Sequence, residues 1–361
     1  MPTAHADHGL HNFPHDQVAW TLANCQVDCE VDPDYSHKVL AVTHQDVGVY
    51  DVLFDLNANR GPYNYQVTPV GDVDAYCKTS ATFIWDERAG VRVRCYDTDG
   101  DPVDTQFSAF GQYHFNESVP PNQDGYLGYT ASDLQHDDTD YSSNLDRDAG
   151  EGEIDAKYHP FSGRSAVYIM DHSGGQGAAL ITAKGDGPSR CFAESVKGSP
   201  KGTIIAVDCV DPSGQRSPTI FDVTYMQDLV PAYDNHHTGD PAYLQGAYVV
   251  LEHDERHEEH VEPNRQYKNV NGAPSTIGRN DEGTYTVALR GLDVEHATFQ
   301  VTSLGESAAR CRILDTPIFH ESPVPEEPET ITLEVICQDS DGDPLDAGFS
   351  LMYQTCNGLY D

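Results

Sequence analysis

The stretch RCYDTDGDPVDTQF, residues 94–107, decides how the chain is read. Four aspartates, Asp97, Asp99, Asp101 and Asp104, fall close together in it, a density that suits either a calcium loop or a tight turn between two strands. The stretch recurs. ICQDSDGDPLDAGF (336–349) repeats it near the C-terminus, and DCVDPSGQRSPTIF (208–221) keeps the frame with most of the acids gone. In each copy a cysteine (Cys95, Cys209, Cys337) is followed at fixed distances by an aspartate (Asp97, Asp211, Asp339), a glycine (Gly100, Gly214, Gly342) and a phenylalanine (Phe107, Phe221, Phe349).

A second block lies upstream of each: QVTPVGDVDAYC, LITAKGDGPSRC and QVTSLGESAARC, ending at Cys77, Cys191 and Cys311. Within it a threonine (Thr68, Thr182, Thr302) and a glycine (Gly71, Gly185, Gly305) keep their distance from the cysteine. Two blocks in one order, three times over, are the mark of a repeat. A chain of 361 residues also exceeds what one core usually serves. The expected organisation is a His-rich tail over 1–17 and copies over 18–115, 125–228 and 241–361.

Apolar residues alternate on both sides of the turn: Val91, Val93 and Cys95 before it, Phe107 and Ala109 after it, with the same pattern in the other copies. Period two with β-branched and aromatic residues marks half-buried strands. Six or seven such strands per copy, with Gly, Pro and Asp between them, predict an all-β chain of three tandem antiparallel β-sandwich repeats of immunoglobulin-like size.

Both cysteines of each copy stand at apolar strand positions, so the pairs Cys77/Cys95, Cys191/Cys209 and Cys311/Cys337 are expected as disulfides, each stabilising its copy by about 3 kcal/mol on a chain-entropy estimate. Structural zinc prefers a C-x-x-C spacing that these pairs lack. Disulfides point to an oxidising, extracellular compartment, although MPTAHADHGLHNFPHDQ has neither the basic nor the apolar region of a secretory signal. Cys25 and Cys29 would clip a local loop. That leaves Cys356 either free to bond another chain or buried as a thiol.

In an EF-hand loop the acids at 1, 3 and 5 are followed by a glycine at 6 and a glutamate at 12. Asp97, Asp99 and Asp101 match the acids, but Gly100 comes early and Ser108 stands in the last place; Asp339, Asp341 and Asp343 depart identically, with Gly342 and Ser350. What survives in all three copies is what a hairpin needs. The stretch therefore reads as a turn first, with calcium at the two acidic copies as an addition.

The frame C-x-D-x-x-G-x-P-x-D-x-x-F, carried by Cys95, Asp97, Gly100, Pro102, Asp104 and Phe107 together with the QVT block, resembles tandem repeats of secreted bacterial proteins of actinobacterial and myxobacterial type. The resemblance covers nearly all of residues 18–355, with the middle copy drifted at DPSGQRSP. It implies secretion and repetition, and no catalytic residues.

Fifty-nine acids against 21 bases give a net charge of −38, which repels nucleic acid and anionic membranes. No apolar run is long enough to span a bilayer. The nucleophile elbow, phosphate loop, dinucleotide fingerprint and H-E-x-x-H are all missing, so no enzyme is expected. His253, His257 and His260 in EHDERHEEHVE would share one face of a helix and hold zinc or copper, or simply lie in a solvated insertion. The expected role is an extracellular structural or adhesive protein that associates with itself into a filament or surface layer. A module binding a glycan or surface protein through exposed tyrosines, Trp20 or Trp85 is the alternative, and a secreted hydrolase the third.

Overall fold

The computed structural model describes residues 18–25, 29–58, 63–113, 126–132, 139–146, 154–159, 164–170, 177–200, 202–228, 244–252, 260–268, 270, 273–294, 296–305, 308–320 and 329–356. Among them there is no α-helix. The first copy contributes β1 (Val18–Asn24), β2 (Glu30–Val31), β3 (Val39–Asp46), β4 (Val49–Asn57), β5 (Tyr63–Val70), β6 (Tyr76–Trp85), β7 (Arg88–Tyr96) and β8 (Gln106–Tyr113). The second contributes β9 (Tyr126–Ser132), β10 (Thr139–Asp146), β11 (Ile154–His159), β12 (Arg164–Met170), β13 (Ala178–Lys184), β14 (Arg190–Ser199), β15 (Gly202–Val210) and β16 (Ile220–Gln227). The third contributes β17 (Leu244–Leu251), β18 (His260–Val261), β19 (Arg265–Lys268), β20 (Thr276–Asp281), β21 (Thr284–Arg290), β22 (Ala297–Leu304), β23 (Arg310–Ile313), β24 (Ile318–His320), β25 (Thr330–Gln338) and β26 (Gly348–Cys356).

Alternation fixes which way these strands face. On β7, Val91, Val93 and Cys95 are buried, while Arg92 turns outward to form two hydrogen bonds with Asp51 at 2.7 and 2.8 Å. On β4, Tyr50, Val52, Phe54 and Leu56 meet them from the paired strand. Ile331, Leu333, Val335 and Cys337 of β25 do the same for Tyr285, Val287 and Leu289 of β21. Three apolar clusters result, each drawn largely from one copy.

The sheets do not respect those boundaries. One runs β18-β20-β21-β25-β23-β5-β8-β1-β2, with β24 beside β25, and so joins the third copy to the first. Another, β10-β9-β16-β13-β6-β7-β4-β3, joins the second to the first, and the last, β11-β12-β15-β14-β22-β26-β17-β19, joins the second to the third. Pairing inside each copy is antiparallel, as expected, but the sheets are mixed because each junction is parallel: Ile313 with Val70, Lys184 with Thr79, and Ala193 with Leu304. The fixed glycines make these junctions. Gly71, Gly185 and Gly305, at φ 107°, 109° and 129°, turn their N–H groups onto Ile313 O, Thr79 O and Ala193 O at 3.0, 2.8 and 2.9 Å. A side chain would be strained at such φ values.

Candidate functional site

The threonine fixed in every copy meets the neighbouring copy. Val67 N donates to Thr182 Oγ1 (3.1 Å), Ile181 N to Thr302 Oγ1 (2.9 Å), and Val301 N to Thr68 Oγ1 (2.9 Å). First copy leans on second, second on third, third on first. The three bonds close a circuit around a common centre. Side chains on the same strand faces extend it: Thr68 donates to Gln300 Oε1 (2.9 Å), Gln300 to Ser108 Oγ (3.0 Å), and Thr182 to Gln66 Oε1 (2.8 Å). Beyond them Gln66, Gln112 and Thr224 converge on Asn64 Oδ1 at 3.0, 3.3 and 2.8 Å. All of these polar groups are buried, where an unmade hydrogen bond would cost the full desolvation of its donor or acceptor.

At one end of this centre the three turns come together. Asp97 Oδ1 accepts from Asp99 N (3.0 Å) and Asp101 N (2.9 Å), and Asp339 Oδ1 from Asp341 N (2.9 Å) and Asp343 N (3.0 Å). In the middle copy, which has lost the other acids, Asp211 Oδ1 still accepts from Gln215 N (3.0 Å) and Ser213 Oγ (2.7 Å). The first aspartate of the motif therefore folds its own backbone. Gly100, Gly214 and Gly342 have φ 85°, 78° and 90°, and a Cβ on Gly100 would lie 2.5 Å from Pro212 Cγ of the next turn. Between the turns lies an open cleft of about 480 Å³ edged by Asp99, Asp211 and Asp341. The last aspartate of the motif has a separate task. Asp104 Oδ1 accepts from Gly48 N (2.7 Å) and Tyr50 Oη (2.9 Å), and Asp346 accepts from Gly283 N (2.9 Å), Tyr285 Oη (3.2 Å) and Arg279 (2.9 and 2.8 Å).

Beneath the turns, the residue before the first cysteine of each copy again reaches the next copy. Tyr76 Oη donates to Pro188 O, Arg190 Nη2 to Ala308 O (2.9 Å), and Arg310 Nη2 to Asp74 Oδ2 (3.3 Å). Lys78, almost wholly buried, donates to Gly187 O (2.8 Å) and Ser189 O (3.1 Å) of the second copy. Burial lowers its ammonium to about 8.

The expected disulfides are all present: Cys77–Cys95, Cys191–Cys209 and Cys311–Cys337 join residues directly opposite each other on paired strands, and Cys25–Cys29 closes a short loop. Cys356 ends β26 opposite Leu244. His253 and His257 lie outside the described residues, as does the tail 1–17, and His260 belongs to β18, paired with Gly278. Among the described residues no three His, Cys, Asp or Glu gather as a metal site, and no helix is long and apolar enough to cross a membrane. Trp20 is no exposed platform: it is 0% exposed, and its Nε1 donates to His296 O (3.1 Å). Trp85 is 69% exposed at the tip of the β6–β7 hairpin, beside Ile84.

Sequence reasoning missed the contacts of Arg190, Arg310 and Lys78: the position before the first cysteine reads Tyr, Arg, Arg across the copies and the one after it Lys, Phe, Arg, so neither is fixed in all three. The fixed threonine was the available signal, because a hairpin has no use for it. Compared with known proteins, the chain matches no family model, no curated protein and no solved structure.

Proposed function

We propose that the chain is an extracellular structural or adhesive protein whose three β-sandwich copies close on one another into one rigid head. The circuit of Thr68, Thr182 and Thr302 onto Val301, Val67 and Ile181 carries this reading. A surface committed to holding the copies together is not free for a substrate. Four disulfides fit an oxidising compartment, and the acid-rich composition fits a body kept soluble by its charge. The secreted bacterial repeats that the sequence resembles are the family to which we assign it.

Self-association would use the outer edges of the sheets. Among the described residues β3 is an edge strand, and Leu40 on it and Val47 beside it are about half exposed. An open edge can pair with another chain. Electron microscopy and light scattering of the purified protein test this: ordered polymers or defined oligomers support the structural role, and a monomer at every concentration defeats self-association. The exposed pair Ile84 and Trp85 favours a second reading, a head that binds a glycan or surface protein. Retention on a glycan array that Trp85→Ala abolishes would support it over the first.

A further inference from the structure

Beneath the three turns lies a small cavity of about 60 Å³. Tyr76, Arg190 and Arg310, one from each copy, line it with Thr182, Thr302 and Cys191. Arg190 and Arg310 are only 7% and 6% exposed. Arginine does not escape burial by losing its proton, so two positive charges are held away from bulk water and need compensation.

That compensation is unequal. Arg310 Nη2 pairs with Asp74 Oδ2 at 3.3 Å. Among the described residues Arg190 meets only carbonyl oxygens, Asp211 O at 3.4 Å and Ala308 O at 2.9 Å, and its buried Nε has no partner. Its guanidinium carbon lies 5.8 Å from the centre of the Tyr76 ring, while the Tyr76 hydroxyl is spent on Pro188 O. Burial, with Arg310 beside it, pulls the Arg190 guanidinium down to about 10. Asp211 and Asp74 act on Arg190 only at a distance, so among the described residues its guanidinium lacks a direct carboxylate partner and its Nε–H lacks an acceptor, beside a cavity.

We propose that this cavity is a buried anion site that takes a single halide ion, with Arg190 as its principal donor and Arg310 beside it. The charge selects a monovalent ion, because Asp74 already answers Arg310. The size selects a small one: the space admits an ion of about the bulk of a water molecule and a water or two, and no organic ligand. A body of net charge −38 would not collect anions on its surface, so local guanidinium charge and exclusion of bulk water hold the ion. The site lies within the junction of the copies and does not require that the chain associate with itself.

Crystals of the full disulfide-bonded chain soaked in sodium bromide and measured at the bromine absorption edge test it. One anomalous peak inside the cavity, within hydrogen-bond reach of Arg190 Nε, is expected. Water alone in the cavity, or bromide confined to the outer surface, would overturn the proposal whether or not any variant folds. In solution, the wild-type protein is expected to melt several degrees higher in sodium bromide than in sodium gluconate of equal ionic strength, since an ion bound only to the native state stabilises it. Arg190→Leu should lose that difference. A wild-type protein that melts no higher in bromide contradicts the site.

Discussion

Strand β5 has two faces, both buried and built from different chemistry. Tyr63, Tyr65 and Val67 enter the apolar cluster of the first copy, while Asn64, Gln66 and Thr68 are equally hidden and meet the other copies through hydrogen bonds. The apolar face is indifferent to direction and tolerates any partner of suitable volume. The polar face is not, since each donor must find its acceptor. The difference teaches how the two kinds of contact divide the work: apolar burial comes largely from within each copy, with Val18, Trp20, Phe110, Tyr248, Val250 and Met352 crossing into the middle cluster, and the polar centre sets the register between copies.

Substitutions that delete one face at a time should separate these roles. The largest effect is expected for Phe107→Ala, which empties a fully buried position in the first cluster and should cost about 3–5 kcal/mol in denaturant unfolding. Thr302→Val keeps the volume but strands the Ile181 N–H; a loss of about 1–3 kcal/mol is expected, and an unchanged midpoint would show that the polar centre does not hold the copies. Asp97→Ala, which frees two turn amides, should cost about 1 kcal/mol. Asp99→Ala should change stability by no more than about 0.5 kcal/mol.

Lys78 offers a test by pH. Its ammonium is lowered by burial from 10.5 to about 8 in the folded protein, so between those values the unfolded chain binds the extra proton and the folded one does not. Stability contributed through this group therefore rises with pH across that window. Denaturant unfolding followed from pH 8 towards 10.5 should show the rise in the wild type, and Lys78→Met should flatten it. A wild-type curve that stays level there would mean that the lysine remains charged against Gly187 O and Ser189 O.

The strands, the disulfide pairs and the turns were legible in the sequence because each follows from a local rule: period two, paired apolar cysteines, and an aspartate and glycine at fixed offsets. The centre was not. Asn64, Gln66 and Thr68 look like the solvent side of a half-buried strand, and alternation cannot tell water from a neighbouring polar strand. Trp20 misled for a related reason, since a lone tryptophan fits a platform as well as a junction, and here it bridges to His296. The acidic stretches were legible as turns because the middle copy had lost its acids and kept Asp211, whose carboxylate still caps its own backbone.

Hydrogen exchange resolved at the amides of Val67, Ile181 and Val301 tests the interlocked centre most directly. If the three copies hold one another through the threonines, these amides should exchange only by global unfolding, with equal protection in all three. An amide of one copy exchanging through a lower-energy opening, while the other two stay protected, would contradict it.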